Sequence, residues 1–262
     1  MEYPKECILN ERLIFDSHAH LDDAKFNDIR DELIPAMSDS GVMGIITCGC
    51  DINSSKAALM LAEKYDFIYA AVGIHPQEIA KGENADEIKA LCGHKKCVTI
   101  GEIGLDYYWE KDRAEEQKEL FEKQIIIAKE LDLPIIVHDR DAHEDTLNIL
   151  KAYKPKGVVH CFSGSVEMAK EILKLGMYIG IGGVITFKNA KKLPDVAKIV
   201  PDDKLLIETD CPYLAPEPYR GKLCHSGYIP LTAAKLAEIR GVSAEDILKL
   251  TAKNAKTLFA IE

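Results

Sequence analysis

The chain has 262 residues, with 33 Lys and Arg against 43 Asp and Glu, a formal net charge of −10 and 47% hydrophobic residues. A chain of this length can bury one large core, and its mixture of apolar and charged residues excludes a disordered polypeptide. The acidic balance argues against a protein that coats duplex nucleic acid through broad electrostatics. It leaves open an enzyme that handles phosphate through bound divalent ions, because such ions reverse the local sign of charge.

The beginning of the chain lacks the basic start and apolar stretch of a secretory signal. No apolar run approaches the roughly 20 residues of a membrane-spanning helix. The eight cysteines include no C-x-x-C pair, so we expect reduced, mostly buried thiols rather than a disulfide framework. These features predict a soluble, cytoplasmic protein with no membrane association and no evident obligate protein partner.

Short β-branched apolar runs recur along the chain, and amphipathic stretches of helical length follow them. The predicted strands cover residues 13–18, 42–49, 67–74, 97–104, 133–138, 157–162, 177–183 and 204–210. Helical patterns cover residues 28–40, 54–65, 113–131, 141–151 and 166–175, and two or three further helices are expected from Pro230 onward. Most of the strands are apolar on both faces, as parallel strands covered by helices are.

This alternation predicts an α/β fold: a single TIM-type (β/α)₈ barrel with extra C-terminal helices, forming one domain over residues 1–262. The alternative is an open doubly wound sheet that binds a dinucleotide. This alternative lacks the dinucleotide-binding fingerprint, because no GxGxxG follows the first strand.

Ligand-type side chains stand at the ends of five predicted strands. They are His18, His20, Glu102, His138, His160 and Asp210. Residues i and i+2 of a strand point to the same side, so His18 and His20 can hold one ion together. Each residue alone has a simpler reading, as a packed histidine, a helix cap or a surface carboxylate. Together they predict a site for one or two divalent ions, because burying so many ionisable groups without an ion is costly.

Seven segments carry a resemblance to a known family. They are FDSHAHL (15–21), GIHP (73–76), GEIGLDYYW (101–109), PIIVHDRDA (134–142), HCFSGS (160–165), YIGIGGVITFKNA (178–190) and ETDCPYLAP (208–216). In this order they resemble the TatD family of metal-dependent deoxyribonucleases, within the amidohydrolase-type barrels. The resemblance runs from residue 15 to residue 216, over most of the chain.

The resemblance implies roles for the strand-end residues. His18, His20 and Asp210 would ligate a first metal ion, Glu102 would bridge two ions, and His138 and His160 would hold the second. Two divalent ions per chain are implied, with Mg²⁺ or Mn²⁺ for activity, and Zn²⁺ could be taken up during purification because of the four histidines. Asp210 and Glu102 are then the catalytic residues, with Asp210 as the general base for a metal-activated water.

Three residues are candidate substrate contacts. His75 could touch the scissile phosphate or simply pack, and Arg140 could bind phosphate through two hydrogen bonds or form a structural salt bridge. Arg220 is carried over from a stretch that departs from the family pattern at residues 224–226, which leaves the substrate contacts there open. The aromatic run 107–109 could stack on unpaired bases or form a packed rim.

The predicted function is a metal-dependent deoxyribonuclease that resembles a 3′-5′ exonuclease and acts on single-stranded DNA or 3′ ends. The alternative is a hydrolase of the same fold and chemistry whose substrate is D-aminoacyl-tRNA or a small amide or ester. A third possibility is a non-catalytic metal-dependent binding module. The ligand set cannot separate the first two, because a metal-activated water attacks carbonyl carbon as well as phosphorus.

Overall fold

The strands form one parallel sheet in which each strand pairs with the next along the chain. The computed structural model describes residue 7, residue 9 and residues 11–262. The eight strands, in sheet order, are β1 (Ile14–Ala19), β2 (Val42–Cys48), β3 (Ile68–Val72), β4 (Cys97–Asp106), β5 (Ile135–Arg140), β6 (Gly157–Val159), β7 (Tyr178–Ile181) and β8 (Leu205–Ile207). The segment in which no secretory signal is expected lies largely outside the described residues.

Helices connect successive strands. They are α1 (Arg30–Asp39), α2 (Ile52–Lys64), α3 (Ala85–Leu91), α4 (Ala114–Glu130), α5 (His143–Tyr153), α6 (Val166–Lys174), α7 (Leu193–Ile199), α8 (Ile229–Arg240) and α9 (Ala244–Leu258). Asp51 and Ser243 begin α2 and α9 with capping boxes, which satisfy backbone N–H groups that have no partner inside the helix. None of the helices in the described part of the chain has both the length and the apolar character to span a bilayer.

The predicted (β/α)₈ barrel is confirmed, and each predicted strand overlaps an observed one. The largest differences lie at the ends of β6 and β8, which stop at Val159 and Ile207 rather than at 162 and 210. Cys161 and Asp210 have φ angles of 40° and 60°, and a left-handed residue cannot continue an extended ladder. The short helices α3 and α7 were not among the predicted helical patterns.

The first and last strands meet through isolated contacts rather than through a regular ladder. Ala19 and Cys211 form a single parallel bridge. Asp16, which is fully buried, accepts hydrogen bonds from the backbone N–H of Thr209 at 3.0 Å and from its hydroxyl at 2.6 Å. A side chain therefore supplies part of the closure of the barrel, and it does so directly before the predicted ligands of β1.

An apolar cluster fills the interior of the barrel from its floor up to Cys48, which contacts His18. Its buried members are Phe15, Ile46, Cys48, Ala71, Ile136, Val158, Tyr178, Leu206, Ala252, Ala255 and Phe259. Seven strands contribute to this cluster, and the last three residues are two alanines of α9 and Phe259, which directly follows it. This helix therefore closes the floor of the barrel, and the polar residues are left to the carboxyl ends of the strands.

Candidate metal centre

A cavity of about 850 Å³ opens at the carboxyl ends of the strands. The predicted site residues that line it are His20, His75, Glu102, His138, Arg140, His160 and Asp210. His18 lies directly beneath and is completely buried. Barrels of this kind place their active sites at this face. The structure thus brings all six predicted ligands, together with His75 and Arg140, to one place.

Glu102, from β4, stands at the centre of the cluster. Its Oε2 lies 3.3 Å from His18 Nε2 and 3.4 Å from His20 Nε2. Its Oε1 lies 2.8 Å from His138 Nδ1 and 2.7 Å from His160 Nε2. The two oxygens of one carboxylate therefore face two different pairs of imidazoles, which is the arrangement that a carboxylate shared by two cations requires.

Asp210 completes the first of these groups. Its Oδ1 lies 3.6 Å from His18 Nε2 and 3.4 Å from His20 Nε2. Its φ of 60° turns the chain after β8, and aspartate is among the few residues that tolerate this conformation. Its side chain is 18% exposed, against 4% for Glu102, so it borders the open cavity.

The outer nitrogens of His18 and His20 face acceptors on β2. His20 Nδ1 lies 3.0 Å from the carbonyl oxygen of Cys48, which can only accept. His18 Nδ1 lies 3.4 Å from Cys48 Sγ, and this thiol can in turn donate to the carbonyl of Ile46 at 4.0 Å. Protons on the two Nδ1 atoms leave both Nε2 atoms with lone pairs directed at the centre.

Buried carboxylates stand behind the other two imidazoles. His138 Nε2 donates to Asp106 Oδ2 at 3.0 Å, which leaves Nδ1 as the inward lone pair. His160 Nδ1 lies 3.5 Å from Glu208 Oε1, a looser contact that does not meet hydrogen-bond geometry. The charge of Glu208 nevertheless favours a proton on Nδ1 and a lone pair on the inward Nε2. Metal-binding histidines are oriented by partners of this kind.

His75 has the opposite environment. The backbone N–H of Gln77 donates to His75 Nδ1 at 3.1 Å, so this nitrogen carries no proton. In the neutral imidazole the proton is then on Nε2, which lies 3.5 Å from Glu102 Oε1. His75 therefore presents an N–H donor to the centre, whereas the other four imidazoles present lone pairs.

The inward atoms fit divalent cations. His18 Nε2 and His20 Nε2 are 3.1 Å apart, and His138 Nδ1 and His160 Nε2 are 3.4 Å apart. Facing lone pairs at these distances, beside carboxylate oxygens, repel one another unless positive charge lies between them. Three groups of residues bring their ligand atoms within 4.8 Å of one another: His18–His20–Asp210, His18–Glu102–His160 and His75–Glu102–His138. The first two contain only predicted ligands, and the third also includes His75.

The pKa values of the cluster are shifted because Glu102 and the imidazoles lie so close together. Burial alone would raise the pKa of Glu102, but the imidazoles of His160, His18 and His75 lower it well below its ordinary value. Burial would lower the pKa of His160, but Glu102 and then Glu208 raise it well above the ordinary value. The centre therefore keeps its carboxylate ionised and attracts positive charge.

The remaining predicted contacts divide between the rim and the outside of the cavity. Arg140, exposed at the end of β5, lies over the ring of Tyr108, 4.1 Å from the ring centroid. The structural salt bridge considered for it is absent among the ion pairs of the described residues. Arg220 lies over Phe187 at 4.4 Å and is not among the residues that line the cavity. The structure does not bring Arg220 together with the others.

The pattern of strand ends did not indicate Asp106, Glu208 or Cys50. Asp106 and Glu208 are buried behind imidazoles, and Cys50 Sγ lies 3.7 Å from His20 Nδ1. Both carboxylates lie inside segments already quoted for the resemblance, 101–109 and 208–216. Asp106 ends β4 and Glu208 directly follows β8, and their place beside apolar runs was the available signal, because a buried carboxylate needs a partner.

Comparisons with known proteins agree with this geometry. A family model described as TatD related DNase matches residues 15–260. The chain is 45% identical over 254 residues to YabD of Bacillus subtilis (strain 168), an uncharacterized metal-dependent hydrolase, with 95% of this chain and 100% of the relative covered. It is 34% identical over 258 residues to the 3′-5′ ssDNA/RNA exonuclease TatD of Salmonella typhimurium, with 95% and 99% covered. The crystal structure of YjjV, a TatD homolog from Escherichia coli K12, matches with a TM-score of 0.90 at 32% identity, covering 96% of this chain and 99% of its own.

Proposed function

The chain belongs to the TatD family of metal-dependent hydrolases, and from this premise we propose that it hydrolyses phosphodiester bonds of single-stranded DNA from the 3′ end. The observation that carries the proposal is the division of the Glu102 oxygens between two pairs of imidazoles, with the N–H of His75 beside them. A two-cation centre with an adjacent donor suits phosphoryl transfer, which develops charge on several oxygens at once. The named activity of the Salmonella relative supports nucleic acid as the substrate.

Two sets of residues would hold the ions. The first set is His18, His20, Asp210 and Glu102, and the second is Glu102, His138 and His160. When bound, divalent ions polarise phosphoryl oxygens and lower the pKa of water to near neutrality. Carboxylate ligands suit Mg²⁺ or Mn²⁺, whereas four imidazoles also suit Zn²⁺, so we expect activity with the former and Zn²⁺ in the purified protein.

Asp210 is the residue proposed to accept the proton of the attacking water. Of the two carboxylates of the centre it is the more exposed to the cavity, whereas Glu102 is enclosed by imidazoles on both oxygens. A base in this position removes the proton as the water attacks phosphorus and returns it to solvent through the cavity.

His75 is proposed to donate its Nε2 proton, as a hydrogen bond, to a phosphoryl oxygen. Its donor character follows from the hydrogen bond that its Nδ1 accepts from Gln77. A fixed donor of this kind stabilises negative charge that develops in the transition state and needs no reorganisation. Arg140, at the rim, is the positively charged group nearest to the rest of the strand.

The test is cleavage of 5′-labelled single-stranded DNA by protein of measured metal content, with Mg²⁺ or Mn²⁺ and with excess chelator. We expect a ladder that shortens from the 3′ end, is lost with chelator and returns when Mg²⁺ is added back. Parallel reactions contain blunt duplex DNA, a D-aminoacyl-tRNA and a small p-nitrophenyl ester. Turnover of the tRNA or the ester by protein that leaves the DNA intact would refute the proposal in favour of a carbonyl substrate.

A further inference from the structure

We propose that Tyr108, Trp109 and Arg140 form a stacking platform at the rim of the cavity, where an unpaired base of the substrate strand is held. We call these three residues the rim platform. The inference rests on the proposed nuclease function and adds to it a structural basis for selecting single strands over duplexes.

The rim platform exposes unusually large aromatic surfaces. Trp109 is 61% exposed and Tyr108 is 55% exposed. Within the described residues, the one other large aromatic side chain with comparable exposure is Tyr213 at 43%, and it lines the same cavity as Trp109. Trp109 and Tyr213 line the cavity, and Tyr108 lies beside it in edge-to-face contact with Trp109. Exposed aromatic surface gathered around one opening points to a binding partner rather than to packing.

The geometry of the rings leaves room for a base. The centroids of Tyr108 and Trp109 are 4.7 Å apart and their planes meet at 88°. Two rings in edge-to-face contact cannot cover all of each other's faces, so an aromatic face stays available for stacking. The guanidinium of Arg140 lies 4.1 Å from the centroid of Tyr108 and 5.7 Å from that of Trp109. The cation therefore covers one face of Tyr108 and lies farther from Trp109, where it can also pair with the phosphate of the stacked nucleotide.

Asp106 joins the rim platform to the metal centre. Its Oδ1 accepts the backbone N–H groups of Tyr108 and Trp109, each at 3.0 Å, while its Oδ2 accepts from His138. The turn that carries the rings of Tyr108 and Trp109 is therefore fixed relative to the imidazole of His138. Tyr107 differs from them, because it is half-buried and its hydroxyl donates to Asp145 at 2.7 Å. The packed interpretation of the aromatic run thus holds for Tyr107 alone.

The charge around the cavity explains why stacking is needed. Among the described residues that line the cavity, Arg140 is the sole Lys or Arg, whereas the rim carries Asp22, Asp23, Asp141 and other carboxylates. A nucleic-acid backbone gains little from such a surface beyond the ions themselves. Stacking on aromatic rings can supply affinity without cations, and it requires a base released from pairing. The internal bases of a duplex are stacked on both faces by their neighbours, so they cannot use the platform.

Trp109 is the one tryptophan of the chain, so intrinsic tryptophan fluorescence reports directly on the platform. The metal-loaded protein is titrated with a phosphorothioate oligothymidylate, which resists cleavage, and with an abasic oligonucleotide of the same length. We expect the oligothymidylate to change the tryptophan emission and the abasic strand to leave it unchanged. Affinity is measured separately from the anisotropy of labelled strands.

Trp109→Ala and Tyr108→Ala should each weaken binding of the oligothymidylate by roughly 5- to 100-fold, and the preference over the abasic strand should shrink by the same factor. The matched control is Met60→Ala on α2, which removes an apolar side chain that is 69% exposed but is not among the residues lining the cavity. It should bind both strands as the unaltered protein does. Thermal unfolding of each variant shows whether the fold is intact.

The outcomes separate the two proposals. If the protein degrades single-stranded DNA but the emission stays constant and Trp109→Ala keeps its preference for the base-bearing strand, the rim platform is wrong and the nuclease function stands. If the metal-loaded protein neither binds the oligothymidylate nor hydrolyses DNA or bis(p-nitrophenyl) phosphate, both proposals are wrong. A duplex that binds and is cleaved as well as the single strand also contradicts the platform.

Discussion

At the carboxyl ends of its strands the barrel buries His18, Glu102 and Glu208, each at most 3% exposed. At the opposite end the same sheet contributes Phe15 and Leu206, among others, to an apolar floor covered by the end of α9. The floor gains stability from the apolar surface that it removes from water, at roughly 25 cal/mol per Å². The face at the carboxyl ends of the strands, which we call the mouth, buries charge instead, and this is unfavourable unless the charges are neutralised. Substitutions at the floor should therefore change stability, and substitutions at the mouth should change metal binding and catalysis.

The largest expected effect is on catalysis, from Asp210→Asn at the mouth. Asparagine tolerates the left-handed backbone of this position, so the fold should persist, while the loss of a general base should reduce turnover of DNA by about 10²- to 10⁴-fold. Steady-state cleavage rates and thermal unfolding measure the two quantities. The control is Asp195→Asn, at an exposed carboxylate paired with Lys198, and it should retain full turnover. Turnover by Asp210→Asn close to that of the control would remove Asp210 from its proposed role.

Phe259→Ala tests the floor. Phe259 is 2% exposed, so its truncation should lower the free energy of unfolding by about 3–5 kcal/mol through lost burial and a new cavity. Metal content and turnover per folded molecule should stay unchanged. Denaturant unfolding and metal analysis check this, and Ile126→Ala, at a side chain 43% exposed, serves as the control with little effect. A loss of bound metal in Phe259→Ala would contradict the separation of the two ends.

Asp106→Asn and Glu208→Gln test the buried carboxylates of the mouth. Asp106 receives only donors, from His138, Gln77 and two backbone N–H groups, so either orientation of an asparagine amide places N–H against N–H. A proton forced onto His138 Nδ1 would remove its inward lone pair. We expect each variant to bind the second metal ion roughly 10- to 100-fold more weakly, as other oriented metal ligands do.

Competition with a metal indicator measures this affinity without reference to activity. The control is Glu116→Gln, at an exposed carboxylate on α4 that pairs with Arg113. Unchanged metal affinity in both variants would show that the buried carboxylates do not position the imidazoles.

The smallest expected effect is on the coupling free energy between metal binding at the mouth and packing at the floor. Ions that bind only the folded state stabilise it by about 2.7 kcal/mol when present at 100 times their dissociation constant. Chelation should therefore destabilise the unaltered protein and Phe259→Ala by the same amount, to within about 0.5 kcal/mol, because well-separated sites contribute additively. Unfolding curves with and without chelator give both differences. A larger difference between the two destabilisations would mean that the floor and the mouth are energetically coupled.

Particular residues show how far prediction from sequence extends. The eight strands and the convergence of His18, His20 and Asp210 were predictable, because alternation and strand ends are local properties of the sequence. The environment of His75 was not, since the donor that sets its proton is the backbone N–H of Gln77 in a specific turn. Arg220 shows the converse case, in which a residue carried over by resemblance lies outside the cavity lining.

By itself the sequence determined the barrel and the chemical types of the side chains at its mouth, because periodicity and strand ends are encoded within a few residues of each other. Only the tertiary structure decided which atoms face one another. Glu102 divides its oxygens between imidazoles at the ends of three other strands, and Asp106 joins His138 to the exposed rings of the rim platform. These relations depend on the register between strands and on the turns that follow them, which join residues far apart in the chain.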